Sequence, residues 1–348
     1  MKLILAPLHG ITNATFRRVY HKHFPYFDSA IAPFVSPTAA QNIGKGLFSD
    51  LLPSANENSM PIEPQILLNN SDVLYPFLDK LFDLGYNKFN INMGCPAAVV
   101  VKKNKGAALL DRIDLIDKIL AAATADKRFD VSVKVRLGTK DTSRIYDVLP
   151  LIQKYEINTL IIHPRTAVMQ YTGEADVEAF EEVVKEVSSN AVNVVYNGDI
   201  FSLAKFNNLS SRFEGKINSF MIGRGALVNP LLPGLIKGNG DGRLPDNGCL
   251  PGDGCLSVFE NPTLKVYDYI NDLCKEYKSL YYGDKPVLGK MKELWTYLRF
   301  SFDDSEKYVK KILKSQSLYS YEKQIEELFE NSTFDCNKKI LGNIQTDE

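Results

Sequence analysis

No stretch of this 348-residue sequence is apolar for long enough to span a membrane, and the opening Met1-Lys-Leu-Ile-Leu-Ala-Pro7 is too short for a secretory signal. Cysteine is scarce: the five present, Cys95, Cys249, Cys255, Cys274 and Cys336, are odd in number and show no metal-like CxxC spacing. They suggest neither a metal site nor a disulfide framework, and a reducing cytoplasm is the expected compartment. An excess of one charge is lacking too. With 41 Lys and Arg against 42 Asp and Glu, the formal charge of −1 exerts no global pull on a polyanion, so such a partner has to be held by a local basic patch. The dinucleotide fingerprint GxGxxG after an early strand is also missing.

What the chain does have is alternation. Short apolar runs fall at Leu3-Ala6, Ser29-Phe34, Ile62-Leu68, Lys88-Met93, Val131-Arg136, Thr159-His163, Val192-Tyr196 and Ser219-Ile222. Between them lie segments such as Asp72-Leu84, Asp111-Ala125, Ser143-Tyr155 and Asp176-Ser188, with apolar positions three and four apart and a capping residue in front. An open doubly wound sheet would alternate in the same way, but eight units without the fingerprint favour closure. The expected fold is α/β: a (β/α)8 TIM barrel over residues 1–240. A Gly/Pro/Asp-rich linker follows at 241–261, then an all-α helical domain at 262–332 (Thr263-Ser279, Lys285-Phe300, Asp304-Ser315, Ser320-Asn331), and a loose polar tail at 333–348.

In such a barrel the residues just after each strand face one pocket. Here they are Pro7, Leu8 and His9 after the first strand, Gln65 at the third, Asn92 and Cys95 at the fourth, and Lys134 and Arg136 at the fifth. His163 and Arg165 follow at the sixth, Asn197-Gly198-Asp199 at the seventh and Gly223-Arg224-Gly225 at the eighth. Glycine-rich loops after strands seven and eight are where barrels commonly hold a phosphate. Lys134 alternates with the valines of Val131-Ser-Val-Lys-Val-Arg136 and so points into the barrel top, where a lysine needs an anion or a neighbouring carboxylate. Cys95, in the turn Asn92-Met-Gly-Cys-Pro96, is read either as a buried residue closing a strand or as a reactive group mounted at a strand end.

Taken together, Ala6-Pro-Leu-His-Gly-Ile-Thr-Asn-Ala-Thr-Phe-Arg17, Glu63-Pro-Gln65, Asn90-Ile-Asn-Met-Gly-Cys-Pro96, Gly106-Ala-Ala-Leu-Leu110, Val133-Lys-Val-Arg136, His163-Pro-Arg-Thr166, Asn197-Gly-Asp199 and Gly223-Arg-Gly225 resemble the tRNA-dihydrouridine synthases in the family's order. The resemblance implies a flavin enzyme that reduces the C5–C6 double bond of uridines in tRNA, with FMN as cofactor and NADPH or NADH as reductant. It implies that hydride passes to C6 and that Cys95 delivers the proton to C5. Pro7, Leu8, His9, Gln65, Lys134, His163, Asn197, Gly198, Asp199, Gly223 and Arg224 would hold FMN; Asn92, Arg136, Arg165, Lys102, Lys103 and Lys105 would meet the substrate. A cysteine with the ordinary pKa of ~8.5 keeps its proton at neutral pH, which suits a donor. No metal and no membrane enter, and a monomer is expected.

Three positions depart from the family's pattern: Leu8 where methionine is usual, Tyr196 where glycine precedes Asn-Gly-Asp, and Ala167 where a basic residue is common. Further phosphate contacts are expected from Arg17, Arg18, Lys22 and His23, and from Lys285, Lys290, Lys292, Lys307, Lys310, Lys311 and Lys314 in the helical domain. Two other readings stay open at this point: an FMN barrel acting on a free pyrimidine or dihydroorotate, and a non-catalytic RNA-binding barrel.

Overall fold

The computed structural model of the chain describes residues 1–37, 45–187, 192–240 and 259–338. Strands β1 (Lys2–Leu5), β2 (Ser29–Ile31), β3 (Ile62–Glu63), β4 (Gln65–Ile66), β5 (Lys88–Met93), β6 (Asp130–Gly138), β7 (Thr159–Thr166), β8 (Asn193–Tyr196) and β9 (Ser219–Ile222) pair in parallel in the order β3-β2-β1-β9-β8-β7-β6-β5-β4. The third expected strand is two, because Pro64 has no N–H to give a ladder. Its two halves nonetheless join the ends of the sheet. Ala32 N donates to Glu63 O (2.9 Å) on one side, and Asn90 N donates to Pro64 O (2.8 Å) on the other. The barrel closes at this proline.

Helices α1 (Ala14–His23), α2 (Leu74–Asp83), α3 (Ala98–Val101), α4 (Ile113–Ala125), α5 (Arg144–Lys154), α6 (Val177–Val187), α7 (Leu203–Arg212), α8 (Arg224–Val228) and α9 (Leu232–Gly240) follow in the crossovers and after β9. Local chemistry sets several starts: the Asn13 side chain accepts from Phe16 N (2.9 Å) ahead of α1, and Ser202 Oγ from Lys205 N (3.2 Å) ahead of α7. One face of each strand packs on these helices. Phe89, Ile91 and Met93 of β5 and Val131, Val133 and Val135 of β6 all belong to that outer core.

The opposite faces fill the barrel, and the filling is of two kinds. Ala6, Ile31, Ile161, Val195 and Met221 form a small apolar cluster on one side. On the other, Gln65, Asn90, Asn92 and Ser132 are buried and polar. That half-and-half interior gives the site its floor.

Beyond the barrel come α10 (Pro262–Leu280), α11 (Asp284–Leu298), α12 (Glu306–Lys314) and α13 (Leu318–Asn331). They share one continuous core with the barrel. Tyr269 of α10 sets its ring against Phe16 (6.5 Å), Tyr20 (5.8 Å) and Phe24 (5.2 Å) of α1 and the residue that follows it. Tyr269→Ala is expected to cost about 3–5 kcal/mol, as for other large buried rings; a urea titration followed by the near-ultraviolet signal checks it.

The same contact consumes cations expected to face phosphates. Arg18 bonds Glu276 (2.5 Å), and Lys22 and His23 share Asp272 (2.6 and 2.8 Å). Arg17 is fully buried on Asp50 (2.9 Å) and the Thr12 carbonyl (2.7 Å). Lys290 donates to Gly10 O and Lys292 to Ser315 O (both 2.5 Å), while Lys311 pairs with Glu327 (3.3 Å).

Most of the expected linker, 241–258, lies outside the described residues. The expected loose tail is docked at its start. Phe334 is buried and bridges Phe302, Asp335 N donates to Ser301 O (2.8 Å), and Asn229 Nδ2 donates to Cys336 O (2.7 Å). Cys336 is also disulfide-bonded, a single bridge and not the multi-bridge framework that the cysteine count and spacing argued against. Among the described residues no helix is long and apolar enough to cross a membrane, and no cluster of His, Cys, Asp and Glu is arranged to hold a metal.

Candidate active site

A cleft opens at the carboxyl ends of the strands. Its walls include Pro7, Leu8, Lys134, His163, Asn197, Gly198, Asp199, Gly223 and Arg224, nine of the residues singled out in the sequence. Tyr171, Ile200 and Phe201 line it as well and had not been anticipated.

The two glycine loops are braced against each other. Asn197 Nδ2 donates to Met221 O (3.0 Å), tying the end of β8 to β9. A Cβ on Gly225 would overlap the carbonyl oxygen of Ile200, and one on Gly198 would sit 2.8 Å from the Ala175 methyl. Gly225→Ala is therefore expected to destabilise the protein by ~3 kcal/mol, the upper end for overpacking, because the atom struck is backbone. Thermal unfolding measures this.

Asp199, held at a left-handed φ of 41°, is the acidic hub between the loops. It bonds Arg224 (2.9 Å), Arg165 (2.5 Å) and Ala175 N (3.0 Å). The Arg224 guanidinium lies over the Tyr171 ring at 4.3 Å and the Phe201 ring at 5.3 Å. A planar cation is thus fixed at the cleft wall by one carboxylate and two aromatic faces.

His163 accepts a hydrogen bond at Nε2 from Arg165 (3.1 Å). Since arginine only donates, the ring proton belongs on Nδ1. Burial, then Arg136, Lys134, Arg165 and Arg224, hold the imidazole well below its ordinary pKa, so it is neutral.

Lys134 stands half-buried on the cleft floor, and burial, with Arg136 nearby, pushes its pKa down to about 7. No carboxylate among the described residues acts on it. Lys134 shares the cleft lining with Arg224 and Asp199, while Arg136 and Arg165 stand behind it, near enough to act on His163.

Cys95 is half-buried beside this floor, close enough to act electrostatically on both Lys134 and Arg136. Its turn is held from several directions. Asn92 Oδ1 accepts from Gly94 N (3.1 Å) and Cys95 N (2.9 Å), Arg136 Nε donates to Gly94 O (3.0 Å), and Ala107 N donates to Cys95 O (3.0 Å). Gly106, at φ 60°, packs so closely that a Cβ would lie 2.7 Å from Cys95 O.

Other anticipated residues are placed elsewhere. His9 is exposed and stacks on Phe34 (4.9 Å), outside the cleft lining. Gln65 is fully buried between Asn90 (2.7 Å) and Asn92 (2.8 Å). Arg136 is buried and donates to Thr166 O and Gln170 O (both 2.8 Å), so it clamps the loop after β7 to the Cys95 turn instead of reaching outward. Arg165, expected to meet the substrate, lies within β7, which runs on to Thr166, and its buried guanidinium is spent on Asp199 and Gly173 O (2.6 Å). Lys102 and Lys103 stay exposed just after Cys95, while Lys105 turns in to Ser36 (2.6 Å). Tyr196 is outer core, against Phe180 at 4.9 Å.

The fold and the site together define a parallel barrel that presents an anion-seeking cleft beside a loop-borne thiol. The family model for dihydrouridine synthase (Dus) matches residues 4–242, and the chain belongs to that family, which is flavin-dependent. Among curated relatives, it is 28% identical to a tRNA-dihydrouridine(16) synthase of Haemophilus influenzae, over 69% of this chain and 78% of the relative. It is 30% identical to a probable tRNA-dihydrouridine synthase of Staphylococcus epidermidis, over 65% and 69%. A tRNA-dihydrouridine(16) synthase of Vibrio parahaemolyticus is 24% identical over 90% of this chain and 91% of its own, a match that runs on past the barrel.

Proposed function

We propose that this chain is a tRNA-dihydrouridine synthase that uses FMN, recharged by NADPH or NADH, to reduce the C5–C6 bond of uridines in tRNA. The observation that carries the cofactor is Lys134, a cation on the cleft floor with no carboxylate acting on it among the described residues. Such a group calls for an anion. The lining fits one with a flat ring and a phosphate: Lys134 for the negative edge of the ring system, and Arg224 with the Gly198 and Gly223 loops for the phosphate. Pro7, Leu8 and Asn197 would complete the cradle. When bound, FMN supplies the hydride.

The rest falls to the protein's own side chains. Cys95 Sγ holds the proton for C5, presented on a turn anchored through Asn92. Neutral His163 offers a hydrogen-bonding ring without adding to the positive charge. The target uridine has to leave its stack to reach such a cleft, and reduction leaves a non-planar base that stacks poorly. Lys102 and Lys103, exposed beside the thiol, are suited to flanking phosphates, and residues 262–332 to the body of the tRNA. A tRNA substrate agrees with action in the cytoplasm.

The test is direct. Purified protein is expected to be yellow, to release FMN on denaturation, and to oxidise NADPH only when unmodified tRNA is added, with dihydrouridine appearing in that tRNA. A colourless protein that takes up no flavin, or NADPH oxidation driven by free uracil or orotate instead of tRNA, overturns the assignment.

A further inference from the structure

The barrel interior contains a chain of side chains that runs from the Cys95 turn down to the closing strand. Backbone N–H groups can only donate, so the bonds from Gly94 N and Cys95 N fix Asn92 Oδ1 as an acceptor. Asn92 Nδ2 must then point away, and it donates to Gln65 Oε1 (2.8 Å). Gln65 Nε2 donates to Asn90 Oδ1 (2.7 Å), and Asn90 Nδ2 to Ser132 Oγ (2.5 Å). The Ser132 hydroxyl is left to donate, and it does so to Glu63 Oε1. Each amide orientation is dictated by the one before it, and the series needs an acceptor at its end.

We propose that Glu63 and Ser132 are positioning residues for Cys95: they terminate this one-way relay of hydrogen bonds and thereby hold the turn that carries the thiol. The members are in place to do so. Gln65 and Asn90 are fully buried, and Ser132 and Asn92 nearly so, leaving little water to substitute for a lost partner. Glu63 is not diverted to the nearest ion pair, since Lys88 bonds Asp130 at 3.0 Å. The closure at Pro64 puts Glu63 and Gln65 on the same inner face, two residues apart, so the second and the last members of the series come from one short segment. Burial raises the Glu63 pKa to about 7 and the Ser132 bond works against that rise; charged or protonated, a carboxyl oxygen accepts from Ser132, and that role explains a group whose burial costs desolvation.

The inference rests on Cys95 as the proton donor proposed above, and its test separates the two. Flavin-loaded wild type, Glu63→Leu, Ser132→Ala and Glu63→Gln are compared by the alkylation rate of Cys95 with iodoacetamide, followed on its own peptide by mass spectrometry, and by kcat and KM for tRNA. Glu63→Leu and Ser132→Ala are expected to alkylate several-fold faster and to lose roughly 10- to 100-fold in kcat, the scale of a slightly misplaced reacting group, at unchanged KM and flavin content. Glu63→Gln keeps an acceptor oxygen and is expected to stay near wild type in both readouts. Wild-type alkylation and turnover in Ser132→Ala, the milder change should Glu63→Leu fail to fold, overturn the proposal. So does damage in Glu63→Gln equal to that in Glu63→Leu. If the relay variants alter alkylation but wild type reduces no uridine, the functional assignment fails while the relay stands.

Discussion

Cys95→Ala protein is expected to stay yellow and to lose about 10²- to 10⁴-fold in the rate at which bound tRNA uridine is reduced, the usual contribution of a general acid. The substitution removes one sulfur from a half-buried position, and the hydrogen bonds described above that hold the turn are made by backbone atoms of Gly94 and Cys95 with Asn92, Arg136 and Ala107. Those contacts survive in alanine. The lining of the cleft is also untouched, since Lys134, Arg224 and the two glycine loops come from other strands. Reduction of the bound flavin by NADPH should therefore proceed at the wild-type rate, while its reoxidation by tRNA stalls. Stopped-flow absorbance separates the two halves. Equal loss in both would place Cys95 in flavin chemistry and not in proton delivery.

Lys134→Met is the converse: a flavin-free protein that is more stable and that binds FMN more weakly. Methionine fills much the same volume and removes a cation whose burial is opposed by no carboxylate among the described residues. Because the folded-state pKa of about 7 lies below the ordinary lysine value, the unfolded chain binds more protons between the two. The stability of flavin-free wild type should accordingly rise as pH climbs from 7 towards 10, and this component should vanish in the variant. FMN affinity should fall roughly 10- to 100-fold, the worth of one charge-assisted hydrogen bond. Differential scanning calorimetry across that pH window, with flavin fluorescence titration, reads both arms. A destabilised flavin-free variant would mean that Lys134 is internally satisfied.

The alternation of short apolar runs with amphipathic segments made the barrel legible, and the wall of the cleft with it. Glycine loops and a lysine alternating with valines are signals carried by neighbouring positions, and Lys134, Asn197–Asp199 and Gly223–Arg224 all line the cleft. Charge inside the barrel was harder to read. Arg136 and Arg165 look like ligand contacts in one dimension, but the carbonyls that absorb them arrive from loops whose path no local pattern specifies. The same holds for Tyr171 and Phe201, which only the folded loops bring against Arg224. Arg18 and Lys22 find their carboxylates some 250 residues away, on a helix that sequence reading assigned to a separate domain. The split at Pro64 was visible as a proline, though not as the seam of the barrel.

The rings of α1 and α10 lie in the same core, so among the described residues the helices after the barrel are packed directly onto it. For an enzyme that takes a folded RNA, this turns choice of nucleotide into a matter of bearing. If residues 262–332 meet the body of the tRNA as proposed, the angle at which that substrate crosses the cleft follows from how Tyr269 packs on Phe16, Tyr20 and Phe24. On that proposal, repacking those rings would change where the tRNA meets the cleft, with no change to the residues lining it.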